Sequence, residues 1–171
     1  MKEPHCPQCG TTFIRVIHQQ ALGESLLQFL RVYPFRCQLC THQFRAFRPG
    51  ARDSSQAFDR RQYKRLPTSC WATLVTDLLT PKEMILDISM GGCTVRMESP
   101  LPMGTFLGIQ LQAGEQEPAI SVGTAMVRSI RRNSVGIQFL ELDRDDKARL
   151  SRFIHGLLLT HSPSLELNPQ T

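Results

Sequence analysis

Between residues 70 and 140 the chain is written in short alternating segments of apolar and polar residues, each closed off by turn residues. No other feature restricts its fold as much. Segments 70–75, 83–88, 92–97, 106–111, 120–130 and 134–140 read as six strands. In the third, Cys93, Val95 and Met97 alternate with Thr94 and Arg96. Six strands at this spacing predict a small closed barrel, because closure removes the exposed sheet edges. The period then changes. Leu150, Phe153, Ile154, Leu157 and Leu158 recur at helical spacing, with Asp143 and Asp146 placed to cap the start. The expectation is an antiparallel barrel with a C-terminal helix packed on it. Cys70 and Cys93 fall within strand patterns and read as core thiols.

Four of the six cysteines form two short pairs, Cys6-Pro7-Gln8-Cys9 and Cys37-Gln38-Leu39-Cys40. Two such turns can complete a tetrahedron of thiolates around one zinc ion, and four sulfur ligands leave no open position for catalysis. Gly10 follows the first pair, where a tight knuckle favours a residue tolerant of positive φ. Residues 12–17 alternate like a strand, and 23–31 predict a short helix. His5, His18 and His42 lie nearby and read as surface residues. The segment resembles the zinc ribbons over residues 1–47, with Phe44 as a packing residue. A module this small buries little surface, so a structural Zn2+ held by Cys6, Cys9, Cys37 and Cys40 is expected to supply much of its folding energy.

Residues 48–59 carry Pro, Gly, Ser and Asp without apolar periodicity and read as a linker. The barrel domain is expected over 60–160 and a disordered tail over 161–171. The net charge of +5 favours an anionic partner, and no apolar run approaches the roughly 20 residues of a membrane helix. The segment MKEPHCPQCG has no apolar secretory stretch, which predicts a cytoplasmic protein with reduced thiols. No base–nucleophile pair appears, so no enzyme is expected.

The densest basic cluster is RRQYKR, residues 60–65, and between the second and third strands lies Asp87-Ile88-Ser89-Met90-Gly91-Gly92. On their own these read as a solvated patch and an ordinary polar turn. Together, Arg61-x-x-x-Arg65 followed by Asp87-x-Ser89-x-x-Gly92 resembles the two-part signature of the PilZ domain. Val127-Arg128, Gly136-Ile137-Gln138-Phe139 and the terminal helix extend the resemblance over about residues 58–160. It implies a mainly β fold, a six-stranded PilZ-type barrel, and binding of the bacterial second messenger cyclic di-GMP. In that case Arg61 and Arg65 offer planar forks to phosphate or guanine. Asp87 and Ser89 supply an acceptor and a hydroxyl, and Gly92 leaves room near the backbone. Arg60 corresponds to an arginine associated in the family with a stacked ligand dimer. Tyr63 reads as a packing anchor.

The expected function is a non-catalytic receptor whose ligand repositions the ribbon to control an unidentified protein partner. The rival reading is a zinc-ribbon nucleic-acid regulator, resting on Arg15, Arg31, Arg36, Arg45 and Arg48 with Phe44 and Phe47, and using the barrel as an interaction platform.

Overall fold

The computed structural model describes residues 4–17, 32–47, 61–76, 81–114 and 117–161. The predicted helix at 23–31, the linker, His18, Arg60 and the last ten residues lie outside the described residues.

The N-terminal module is a three-stranded antiparallel sheet of β1 (Ile14–Val16), β2 (Val32–Cys37) and β3 (Gln43–Phe47), in that order. Phe35 is buried and its ring stacks on Phe44 at 5.7 Å between centroids, the packing role expected of Phe44. His42 stacks in turn on Phe44 at 6.1 Å.

The second sheet begins with a two-residue strand, β4 (Leu66–Pro67). The predicted six follow as β5 (Trp71–Val75), β6 (Lys82–Ser89), β7 (Gly92–Arg96), β8 (Phe106–Gln112), β9 (Ile120–Arg131) and β10 (Ser134–Glu141). Their order is β6-β5-β8-β9-β10-β7, and β7 pairs back to β6, so the six close into an antiparallel barrel. Side chains alternate between core and solvent as the sequence pattern predicts. On β8, Leu107, Ile109 and Leu111 point inward while Phe106, Gln110 and Gln112 are exposed. Ile85, Ile88, Cys93, Val95, Val122, Val127, Val135 and Ile137 complete the interior. Each fully buried aliphatic side chain of this kind stabilises the fold by about 1.5–3 kcal/mol. Cys93 is fully buried and burial pushes its thiol pKa up, as befits a core thiol; Cys70 packs at the edge of the same core.

Helix α1 (Arg144–His161) lays Leu150, Ile154 and Leu158 into the barrel core. Its start is capped as predicted: the Asp146 amide donates to Asp143 Oδ1 at 2.7 Å. Asp146 does more than join a cap. It is buried, accepts from the Ser121 amide at 2.9 Å and pairs with Arg149 at 2.6 Å, tying α1 to the start of β9. At the other end, His161 Nε2 meets the Pro67 carbonyl at 3.2 Å, so the helix reaches back to β4.

Candidate functional site

The two motifs are brought together by β4. Immediately after Arg65 the chain pairs antiparallel with β6, Leu66 opposite Ile88 and Pro67 opposite Asp87. That register sets Arg65 against the Asp87 side chain: Arg65 Nη1 donates to Asp87 Oδ1 at 2.8 Å and to Thr94 Oγ1 at 2.6 Å. A strict alternation from buried Ile85 would turn Asp87 into the core. It does not, because the β6–β7 register slips by one residue between Ile85 and Asp87. The extra residue, Leu86, makes a bulge that returns Ile88 to the interior and leaves Asp87 half-exposed beside Arg65.

Ser89, Met90, Gly91 and Gly92 form the tight hairpin between β6 and β7, with Ser89 opposite Gly92. The buried Ser89 hydroxyl donates to the Gly92 carbonyl at 3.2 Å and accepts from the Gly91 amide at 3.4 Å. Gly92 has φ 155°, and a Cβ there would collide with the Ile137 carbonyl of β10. The space Gly92 leaves is therefore occupied by the neighbouring strand and lets β7 and β10 meet. At Gly91, a Cβ would strike the ring of Tyr63, so Tyr63 seals the turn from above. It packs against the core, as an anchor should.

These elements rim a cavity of about 790 Å³. Arg61, Arg65, Ser89 and Gly91 line it from the motifs, while Asp87 acts from behind through Arg65 and Gly92 lies outside the wall. The far wall holds Arg128, Ser129, Gly136 and Gln138 from β9 and β10, with Lys147 from α1. Arg128 is the extra residue in a second register slip, where Gly136 faces Ser129 and Ile137 already faces Val127. Such bulges re-aim side chains. Arg36 and Thr41 of the N-terminal module close the remaining side. Five cationic side chains thus face one cavity and, among the described residues, no carboxylate lines it. The site is built for an anionic ligand of small-molecule size. Lys147 escaped the sequence reading because its helical position carries no motif. Arg36, named there among the ribbon arginines of the nucleic-acid reading, faces the barrel: Nη1 donates to the Tyr63 hydroxyl at 2.6 Å, and the guanidinium lies 5.2 Å over that ring.

A second constellation lies in the N-terminal module. The Sγ atoms of Cys6, Cys9, Cys37 and Cys40 all lie within 4.8 Å of one another, with Cys6–Cys40 and Cys9–Cys37 at 3.6 Å. A tetrahedral ion with sulfur ligands near 2.3 Å needs sulfurs about 3.8 Å apart. The donor set fits such an ion. The Leu39 and Cys40 amides each point at Cys37 Sγ at 3.4 Å, a geometry that favours thiolate. Burial pushes the Cys37 and Cys40 thiols up nonetheless, whereas at Cys6 backbone and side-chain hydrogen bonds outweigh burial and lower it. Both knuckles end in a left-handed residue, Gly10 at φ 73° and Thr41 at φ 67°.

A family model of the PilZ domain matches residues 59–156. Among solved structures, the inhibitor of motility MotI/DgrA of Bacillus subtilis is 18% identical, with 77% of this chain and 66% of that chain covered and a TM-score of 0.53, a likeness of fold. The PilZ domain with c-di-GMP of YcgR from Escherichia coli is 19% identical over 60% of this chain and 94% of that chain, with a TM-score of 0.49. PlzA of Borreliella burgdorferi, in complex with c-di-GMP, is 14% identical over 58% and 53% of the two chains, with a TM-score of 0.34. No curated protein matches the chain. With the family model spanning more than half of the sequence, on a closed six-stranded barrel that joins both motifs, the chain belongs to the PilZ domain family.

Proposed function

We propose that the protein is a non-catalytic receptor for cyclic di-GMP, in which the nucleotide binds at the site formed by the Arg61-x-x-x-Arg65 and Asp87-x-Ser89-x-x-Gly92 motifs, with Arg60 adjoining, and shifts the position of the N-terminal module to control a protein partner. The observation that carries this reading is the cavity itself: five cations and no carboxylate among the described lining residues, with both motif arginines on its rim. A cyclic dinucleotide presents two phosphates and two guanine edges. Arginine forks match both, bidentately or by stacking. Arg65 is held by Asp87 and Thr94, so one of its nitrogens is committed and its direction is fixed before ligand arrives. Ser89 and Gly92 then serve chiefly by shaping the hairpin under the ligand. The four cysteines hold a structural zinc ion that folds the N-terminal module and takes no part in chemistry.

Calorimetric titration with cyclic di-GMP, using cyclic di-AMP as control, tests the reading. Binding is expected for the first alone. Arg61→Ala and Arg65→Ala should each weaken it at least tenfold, since a lost bidentate contact costs about 1–3 kcal/mol. Two variants that titrate like the parent would remove these arginines from the site.

A further inference from the structure

The second cysteine knuckle reaches beyond its own module. Gln38 stands between Cys37 and Cys40, with its side chain buried at 6% exposure. Its Oε1 accepts from the Lys64 amide at 2.7 Å, and its Nε2 donates to the Gln62 and Arg36 carbonyls, both at 3.2 Å. One carboxamide therefore grips two backbone groups on either side of Tyr63, at the centre of the Arg61–Arg65 segment. Arg36, two residues before Gln38, lines the same cavity as those arginines and bonds to Tyr63. Leu39 and Phe13 pack against the barrel core, and Phe13 meets His155 of α1 edge-on at 5.7 Å.

We infer that the second knuckle is a working part of the nucleotide site, Gln38 being a positioning residue for the Arg61–Arg65 backbone and Arg36 a ligand-facing cation, so that metal occupancy and nucleotide binding are thermodynamically linked. The inference rests on the cyclic di-GMP reading above. The physical route is short. Four thiolates around an ion fix the backbone of residues 37–40, which sets the direction of the Gln38 side chain. Gln38 fixes the carbonyl of Gln62 and the amide of Lys64. With these held, the flanking arginines are ordered before ligand arrives, and the ordering is not charged against binding. A knuckle without its metal loses the grip, and the segment must be ordered by the nucleotide instead. Coupling of this kind is reciprocal, so the nucleotide must tighten metal binding by the factor by which the metal tightens nucleotide binding.

The test uses the full chain. Cyclic di-GMP is titrated into the parent, Gln38→Met and Arg36→Ala, with metal content measured for each. Methionine keeps the length of glutamine and removes its hydrogen bonds. Gln38→Met with a full complement of metal is expected to bind about tenfold more weakly, equivalent to about 1.4 kcal/mol. Arg36→Ala, which removes a side chain directed at Tyr63 and offers no ligand atom, is expected to lose a similar factor and decides the matter if Gln38→Met loses metal. A second readout is metal affinity by chelator competition: cyclic di-GMP at a concentration that just saturates the parent should raise it there, and raise it less in Arg61→Ala, which is only partly occupied at that concentration. If both knuckle variants titrate like the parent, or if chelator competition ignores the nucleotide, the inference is overturned. A parent protein that does not bind cyclic di-GMP at all would instead defeat the receptor reading, so the two failures are told apart.

Discussion

Among the described residues, Thr41 is the non-glycine residue with a left-handed backbone. Its φ of 67° is a conformation that suits glycine, as at Gly10 in the matching place of the first knuckle. A threonine held there costs about 1–3 kcal/mol and persists only where its surroundings demand it. Two things demand it: the Cys37–Cys40 sulfurs must point inward to their partners, and Thr41 itself lines the cationic cavity. In the proposed receptor the counterweight is a zinc ion, which would draw the four clustered sulfurs together as ligands. The protein purified without added metal should accordingly carry about one equivalent of zinc, and Cys37→Ser should lose it along with the folded N-terminal module. Metal-free protein with an intact three-stranded sheet, seen by its amide spectrum, would contradict that. Since ligation requires thiolates, affinity must fall as the pH is lowered.

At the scale of elements, the helix cap offers a pH test. Asp143 is pulled below the usual carboxylate range, first by the Asp146 amide that donates to it. A carboxylate depressed in the folded state stabilises the fold above its unfolded pKa of about 3.9, and that contribution is lost as pH falls through the lower folded value. Asp143→Ala should therefore lower the melting temperature at neutral pH, and the gap between variant and parent should close in acid. A gap that is constant with pH would mean that the cap charge is irrelevant. The cap was legible in the sequence because acidic residues three apart at the head of an apolar stripe have a local meaning. So were the six strands, each long enough to show alternation. β4 was not, since two residues ending in proline carry no period. Nor were the bulges at Leu86 and Arg128, although these turn Asp87 and Arg128 to their present faces. A bulge is decided by how two strands register, and neither strand alone records it. Likewise the four clustered cysteines announced themselves by spacing, while Gln38 between the second pair did not. Its importance comes from what lies across the module boundary.

At the scale of the whole molecule, two of the described contacts between the N-terminal module and the barrel, those of Gln38 and Arg36, are made to the segment that lines the cationic cavity. Gln38 and Arg36 hold the segment that carries the arginines, and Phe13 rests on α1. A ligand in that cavity meets cations from both sides, Arg36 on one and Arg61, Arg65 and Arg128 on the other. Two phosphates between them would draw the module and barrel together, and the population of the docked arrangement can rise only by as much as the ligand prefers it. The expected effect of cyclic di-GMP is thus a larger population of the docked arrangement, with both internal folds unchanged. Phe47 on β3 and Leu159 on α1 are exposed, at 58% and 59%, and suit a pair of spin labels attached without using the cysteines. The distance distribution should narrow when nucleotide saturates the parent, and should respond little in Arg61→Ala. Identical distributions with and without saturating nucleotide would sink the idea that the module moves. A partner would then have to recognise the barrel surface and its bound nucleotide directly.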